Sequence, residues 1–127
     1  MLNARMIALA VALVVGGTLA LSATASAKGG DGVRVRGVCT QSSSAKLKLN
    51  REDGRMEVEF EVDQNRNGVP WKVTLRRNGS LVGSTTARTR APSGSFSVRR
   101  IIAGAQGTVV AKATRASGER CSARATI

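Results

Sequence analysis

The chain has 127 residues, with 20 Lys and Arg against 8 Asp and Glu and a formal net charge of +12. It has no His and no Tyr, and only one Trp and two Phe. This composition excludes His-based acid–base catalysis, His-ligated metal sites and Ser–His or Cys–His nucleophiles.

The chain begins MLNAR, continues as the apolar run MIALAVALVVGGTLAL and then reads SATASA. One positive charge, an apolar stretch and a small-residue stretch form the three-part layout of a secretory signal peptide over residues 1–27. Ala25-Ser26-Ala27 fits the cleavage pattern and makes Lys28 the expected mature N-terminus. The rival reading is a membrane anchor, but the run is short for a span and Gly16-Gly17 interrupts it. No Cys follows the run closely and Arg5 stands alone, so neither a lipid anchor nor the twin-arginine route is supported. The mature chain is then about 100 residues, enough for one domain, secreted and carrying no transmembrane segment.

Residues 28–37, KGGDGVRVRG, read as a flexible basic arm that ends near a first strand. From there to the C-terminus, strand signals recur about every 8–12 residues with turn residues between them, the spacing of an all-β sandwich or barrel. AKLKLN alternates Leu47 and Leu49 with Lys46 and Lys48. After the turn NREDG, RMEVEFEVD places Met56, Val58, Phe60 and Val62 on one face and Glu57, Glu59, Glu61 and Asp63 on the other, the strongest alternation in the chain. An antiparallel pairing of Leu47 with Val58 and of Leu49 with Met56 would set Lys48 against Glu57 and Lys46 against Glu59. The next strand alternates Trp71, Val73 and Leu75 with Lys72, Thr74 and Arg76. Pairing Val62 with Trp71 and Phe60 with Val73 would set Glu61 against Lys72 and Glu57 against Arg76. Hydrophobicity and charge thus favour the same arrangement, one apolar and one ion-paired face on three consecutive strands.

Asn78-Gly79 marks a turn, residues 81–90 a weaker strand, and Ala91-Pro92-Ser93-Gly94 another turn. Phe96, Val98 and Ile102 define a further strand, Val109, Ala111 and Ala113 the next, and Cys121, Ala123, Ala125 and Ile127 the core face of the last. In an exported chain the two cysteines, Cys39 and Cys121, are expected to pair. That bridge joins the first strand to the last and closes a loop of about 83 residues, for which chain entropy gives about 4.5 kcal/mol as an upper figure. A redox pair would want C-x-x-C spacing, and two Cys without His complete no zinc site. The expected fold is all-β: an Ig-like antiparallel β-sandwich of seven or eight strands over residues 38–127. The antibody signature is missing, because Cys39 and Trp71 are too far apart and no Tyr precedes Cys121 by two residues.

RMEVEFEVDQNRNGVPWKVTLRRNG, APSGSFSV and SGERCSARATI, over most of residues 38–127, resemble small exported proteins of actinobacteria, predicted β-sandwich domains with no assigned activity. The ratio of 15 Arg to 5 Lys, with abundant Ala, Gly and Val, agrees with a GC-rich genome. The resemblance implies location and fold and transfers no functional residue.

Four patterns bear on chemistry. Asp63, Asn65, Asn67 and Gly68 match the first half of a calcium loop, but the twelfth position is Thr74 where a bidentate Glu belongs, and Arg66 adds a positive charge. A plain turn is the expected reading, and no metal or other cofactor is expected. The stripe Glu57, Glu59, Glu61 could provide paired carboxylates for glycoside hydrolysis, but basic neighbours pair with it and aromatic platforms are missing. Ser44-x-Lys46 could form a dyad, but Lys46 is expected to point to solvent. No enzyme is expected. The fourth pattern is global: from Gln64 through Gly118 there are ten Lys and Arg and no acid. Arg suits phosphate and carboxylate groups, and a positive field attracts polyanions in a salt-dependent way. The expected contacts are Arg76, Arg77, Arg88, Arg90, Arg99 and Arg100. The expected partners are anionic envelope polymers or an acidic protein. Export and the scarcity of aromatics for base stacking argue against specific nucleic acid. The alternative is a protein–protein module, such as an inhibitor of an extracellular hydrolase or a subunit of a surface complex, with loops presented on a rigid frame.

Overall fold

The structure is a computed structural model that describes residues 32–127; the expected signal peptide 1–27 and the first four residues of the expected basic arm lie outside the described residues. Nine antiparallel strands follow in chain order: β1 (Val33–Arg36), β2 (Val38–Cys39), β3 (Ser44–Glu52), β4 (Arg55–Asp63), β5 (Pro70–Arg77), β6 (Ser80–Arg88), β7 (Ser95–Ala103), β8 (Thr108–Arg115) and β9 (Arg120–Thr126). They form two sheets, ordered β1-β3-β4-β7 and β2-β9-β8-β5-β6. The all-β sandwich expected from strand spacing is the fold observed, with nine strands in place of seven or eight. No helix among the described residues is long and apolar enough to cross a membrane.

Two tight turns set the hairpins. Asp53 and Gly54 have φ of 50° and 73°, and Asn78 and Gly79 have φ of 48° and 84°. Both are two-residue connections whose left-handed residues match the twist of the flanking strands. The Asp53-Gly54 turn corrects the expected register: Leu47 pairs with Phe60 and Leu49 with Val58, while Lys46 meets Glu61 and Lys48 meets Glu59. The turn is centred one residue later than expected, so each partner moves by two and every side chain keeps its face.

The larger correction concerns β5. It does not pair with β4. β4 pairs with β7, setting Phe60 opposite Val98 and Glu59 opposite Arg99, and β5 lies in the other sheet between β6 and β8. Phe60, Val62 and Trp71 are all fully buried, but they meet across the sandwich rather than within one sheet. Trp71 and Phe96 meet there with ring centroids 6.1 Å apart and planes tilted by 54°, within the favourable distance range for aromatic pairs. The pairs Glu61–Lys72 and Glu57–Arg76 therefore do not form.

The basic arm ends in structure: residues 33–36 form β1, paired to β3 through Val33–Leu49 and Val35–Leu47. At Gly37 the chain crosses to the other sheet, where an added Cβ would press on Ser122 O and on the Cβ of Ala45. β2 then pairs with β9, setting Cys39 opposite Cys121, and the two are bridged. The disulfide thus joins the second strand to the last.

The core draws on both sheets. Leu47, Leu49, Met56, Val58, Phe60 and Val62 come from one, and Trp71, Val73, Leu75, Val109, Ala111 and Ala113 from the other. Each large apolar side chain buried here contributes about 1.5–3 kcal/mol. The final strand buries Cys121, Ala123 and Ala125, while Ile127 is half-buried against the core.

Candidate functional site

The two outer faces differ in charge because of how the strands are sorted. On the four-stranded sheet, Glu57, Glu59, Glu61 and Asp63 of β4 are flanked by Lys46 and Lys48 of β3 and by Arg99 of β7. Arg99 Nη2 donates to Glu57 Oε2 at 2.7 Å, and Lys48 Nζ lies 4.0 Å from Glu59. The Arg99 hydrogen bond is the main cause holding the Glu57 carboxyl below its ordinary range, against a partial opposing effect of burial. The acidic stripe does pair with basic neighbours on both sides, but the second neighbour is β7 and not β5.

The outer face of the five-stranded sheet has no such balance. The register puts Lys72 and Arg76 of β5, Arg88 of β6, Lys112 of β8, and Arg120 and Arg124 of β9 on one exposed surface. No acid shares it, and none of these six cations has a carboxylate within 4.0 Å among the described residues. The remaining positions include hydroxyls (Thr74, Ser84, Thr86, Thr114 and Ser122) and apolar side chains (Val38, Pro70, Leu81 and Val110), of which Val38 and Leu81 are exposed. Thr114 stands between Lys72 and Arg120, and Val110 between Arg76 and Arg124, with Lys112 in the row between. Strand spacing and rise per residue put each of the four outer cations about 8 Å from Lys112 at the backbone. Five charges thus form a centred rectangle, and Arg88 continues it past Lys72.

The six arginines expected as a binding set do not share a surface. Arg76 and Arg88 lie on the cationic face, where each donates to a turn carbonyl, of Gly79 at 3.2 Å and Gly68 at 3.1 Å. Arg77 points across the edge and donates to the carbonyls of Ala103 and Gly104, bridging the β5–β6 hairpin to the end of β7. Arg99 is held by Glu57 on the opposite face. Arg100 sits opposite Val58 on the inward side of the edge strand β7, its stem covering Gly83 of β6. Arg90 follows β6 and pairs through its backbone with Ser95. Consecutive strand residues face opposite ways, so Arg76-Arg77 and Arg99-Arg100 each divide between two surfaces. Lys72, Lys112, Arg120 and Arg124 were not in the expected set. Their signal was alternation with core residues on strands that carry no acid.

The 63–68 loop is organised as a turn. Asp63 Oδ1 accepts from Asn65 N at 3.0 Å, and Asn65 has φ of 55°. Gln64 N donates to Gly94 O and Gly68 N to Thr89 O, at 3.0 and 2.7 Å. Asp63, the one carboxylate of the calcium-loop pattern, is thus engaged within the turn. No group of three or more Cys, Asp or Glu able to hold a metal occurs among the described residues. Ser44 and Lys46 are both exposed on β3.

Sequence reasoning passed over one polar cluster. Glu119, in the β8–β9 turn, is fully buried. Its carboxylate accepts from Ser43 N at 3.0 Å, Ser43 Oγ at 2.9 Å and Arg115 Nε at 2.9 Å. Burial would raise its pKa, but the Ser43 N–H, the Arg115 side chain and the Ser43 hydroxyl together outweigh that and lower it. Arg115 lies over the Trp71 ring at 5.6 Å and donates to Gln41 Oε1, and Trp71 Nε1 donates to Gln64 Oε1. No buried side-chain polar atom among the described residues lacks a partner, and both carboxylate oxygens of Glu119 are taken, so the cluster reads as a clasp between the β8–β9 turn and the β2–β3 connection and not as a reactive centre. The signal in the sequence was that Glu119 is the only acid after Asp63.

No family model matches the chain, and comparison with curated proteins and with solved structures likewise returns no match.

Proposed function

We propose that this is a non-enzymatic, exported β-sandwich protein that associates with anionic polymers of the cell envelope or extracellular space. The observation that supports this reading is the acid-free outer face of the five-stranded sheet. A sheet face of six exposed cations offers repeated contacts to a linear polyanion without demanding one conformation of it. Interspersed Thr and Ser hydroxyls add neutral hydrogen-bonding capacity. The opposite face, where charges pair off, contributes little net attraction.

The test is retention of the oxidised protein on an anionic polysaccharide matrix and on a neutral one across a salt series. If five cations engage, the slope of log affinity against log salt should be about −3 to −4, and affinity should fall roughly hundredfold between 50 and 200 mM salt. Reversing Lys112→Glu together with Arg124→Glu should abolish retention at physiological salt. Retention that is unchanged by those reversals, or equal on the neutral matrix, overturns the proposal.

A further inference from the structure

Arg88 has a second setting. Beyond β6 the chain passes the edge strand β7 and forms a cleft of about 560 Å³ on that side of the sandwich. Arg88, Arg90, Glu61, Thr86, Ser95 and Ser97 line it, and Phe96 and Ala87 supply the apolar part of the wall. The volume is within the range of small-ligand sites. Its wall is about evenly polar and apolar, and most of the residues bordering it are charged or hydroxylic.

The arrangement of charge in the cleft is the informative part. Arg88 and Arg90 border this space from the end of β6 and Glu61 borders it from β4; Arg88 meanwhile donates to Gly68 O at 3.1 Å, and no ion pair within 4.0 Å joins Glu61 to either arginine among the described residues. Arg90 makes no side-chain hydrogen bond among those residues, and Glu61 accepts none. Opposite charges that share a cleft without closing on each other leave room for an occupant that satisfies both. Such an occupant brings an anion to the arginines, whose planar forks take carboxylate or phosphate oxygens in pairs. To Glu61 it brings hydrogen-bond donors, and hydroxyls are donors that leave its negative charge in place. The Thr86 hydroxyl adds one further donor and acceptor.

We infer that this cleft binds a polyhydroxylated anion, a single sugar unit carrying a carboxylate or a phosphate. The inference rests on the polyanion reading and narrows it: the cationic sheet holds an anionic glycan by charge, and the cleft next to Arg88 reads one of its units. Arg88 belongs to both surfaces and marks where a chain lying on the sheet turns the edge into the cleft. A polyphosphate, which offers charge without hydroxyl donors, leaves Glu61 facing an anion and is disfavoured there.

The experiment is calorimetric titration at physiological salt of the oxidised Lys112→Glu, Arg124→Glu protein, in which the sheet face no longer attracts polyanions and the cleft lining is unchanged, with four probes. These are trigalacturonate, glucose 6-phosphate, inorganic tripolyphosphate and maltotriose. At least one of the two anionic sugars should bind at least tenfold more tightly than tripolyphosphate and maltotriose, and which of the two binds assigns carboxylate or phosphate. Arg90→Ala and Glu61→Gln, each verified as folded by its melting temperature, should each weaken that sugar by tenfold or more. Tripolyphosphate binding as tightly as either sugar overturns the inference, and so does a Glu61→Gln variant with unchanged sugar affinity. Retention on the anionic matrix reports on the sheet face separately. If retention persists while neither sugar binds, only the cleft assignment falls. If sugar binds while retention ignores Lys112→Glu with Arg124→Glu, only the sheet-face reading falls.

Discussion

Replacing Glu119 tests whether the buried clasp holds the turns together. The carboxylate has no solvent exposure and accepts three hydrogen bonds, two from Ser43 and one from Arg115. Glu119→Ala removes all three and leaves the Arg115 side chain, 17% exposed, without its counter-charge. Breaking a buried pair by deleting one partner costs about 3–5 kcal/mol. Arg115 keeps Gln41 and the Trp71 ring, so the lower end applies, about 3 kcal/mol. For a domain of this size that lowers Tm by about 12–24 °C. Glu119→Gln keeps the shape and one acceptor oxygen and should cost less, about 1–2 kcal/mol. The assay is urea and thermal unfolding of the oxidised protein at pH 7. The pH dependence carries a sign as well. The Glu119 pKa is lowered by folding, so its contribution is fully present above the unfolded carboxylate value of about 4.3 and is lost as pH falls through the lower folded value. Glu57 acts in the same direction. Unfolding of Glu119→Gln should therefore depend less on pH below about 4 than that of the wild type. A Glu119→Ala loss under about 1 kcal/mol would refute the reasoning.

Replacing both Cys39 and Cys121 with Ser should lower stability by up to about 4.5 kcal/mol, read as a drop in urea midpoint. No change in midpoint would mean that β2–β9 pairing is held by other contacts. Gly94→Ala should destabilise by more than about 1–2 kcal/mol, the cost of a left-handed L-residue alone. Gly94 has φ of 66°, and an added Cβ would collide with the backbone nitrogen of Arg66. An unchanged melting temperature would show that the two loops part without cost.

Much of the sandwich was legible because its signals are local. Alternation in residues 45–50, 55–63 and 71–76 assigned the core face of each segment correctly, and the cysteine pairing followed from their number and the expected export. Sheet membership was not legible. The acids of β4 find cations equally well on β5 and on β7, so charge matching in the sequence does not choose between Lys72 and Arg99. The choice is made by packing across the sandwich, where Trp71 must meet Phe96 rather than lie beside Val62. This one misassignment hid the candidate site. While Glu57 and Glu61 were set against Arg76 and Lys72, Lys72 looked neutralised and was left out, although Arg76 still stood among the expected contacts. With β5 in the other sheet they join Lys112, Arg120 and Arg124 on a face without acids. The register error was smaller and had a visible remedy: Asp53-Gly54 is the pair in NREDG that tolerates two consecutive positive φ values, and it fixes the turn one residue later.

The position of the bridge also bears on the order of assembly. The hairpins β3–β4, β5–β6 and β8–β9 are closed by short connections and can form as soon as each segment is free. β2 cannot settle until β9 is present, because Cys39 must wait for a partner 82 residues downstream. β1, on the other side of Gly37, needs only β3 and does not wait for that step. The bridge thus ties an early strand to the last one, and its closure depends on the whole intervening chain. A chain threaded across a membrane from its N-terminus would present its first cysteine early and complete the bridge only when nearly all of the sequence had emerged.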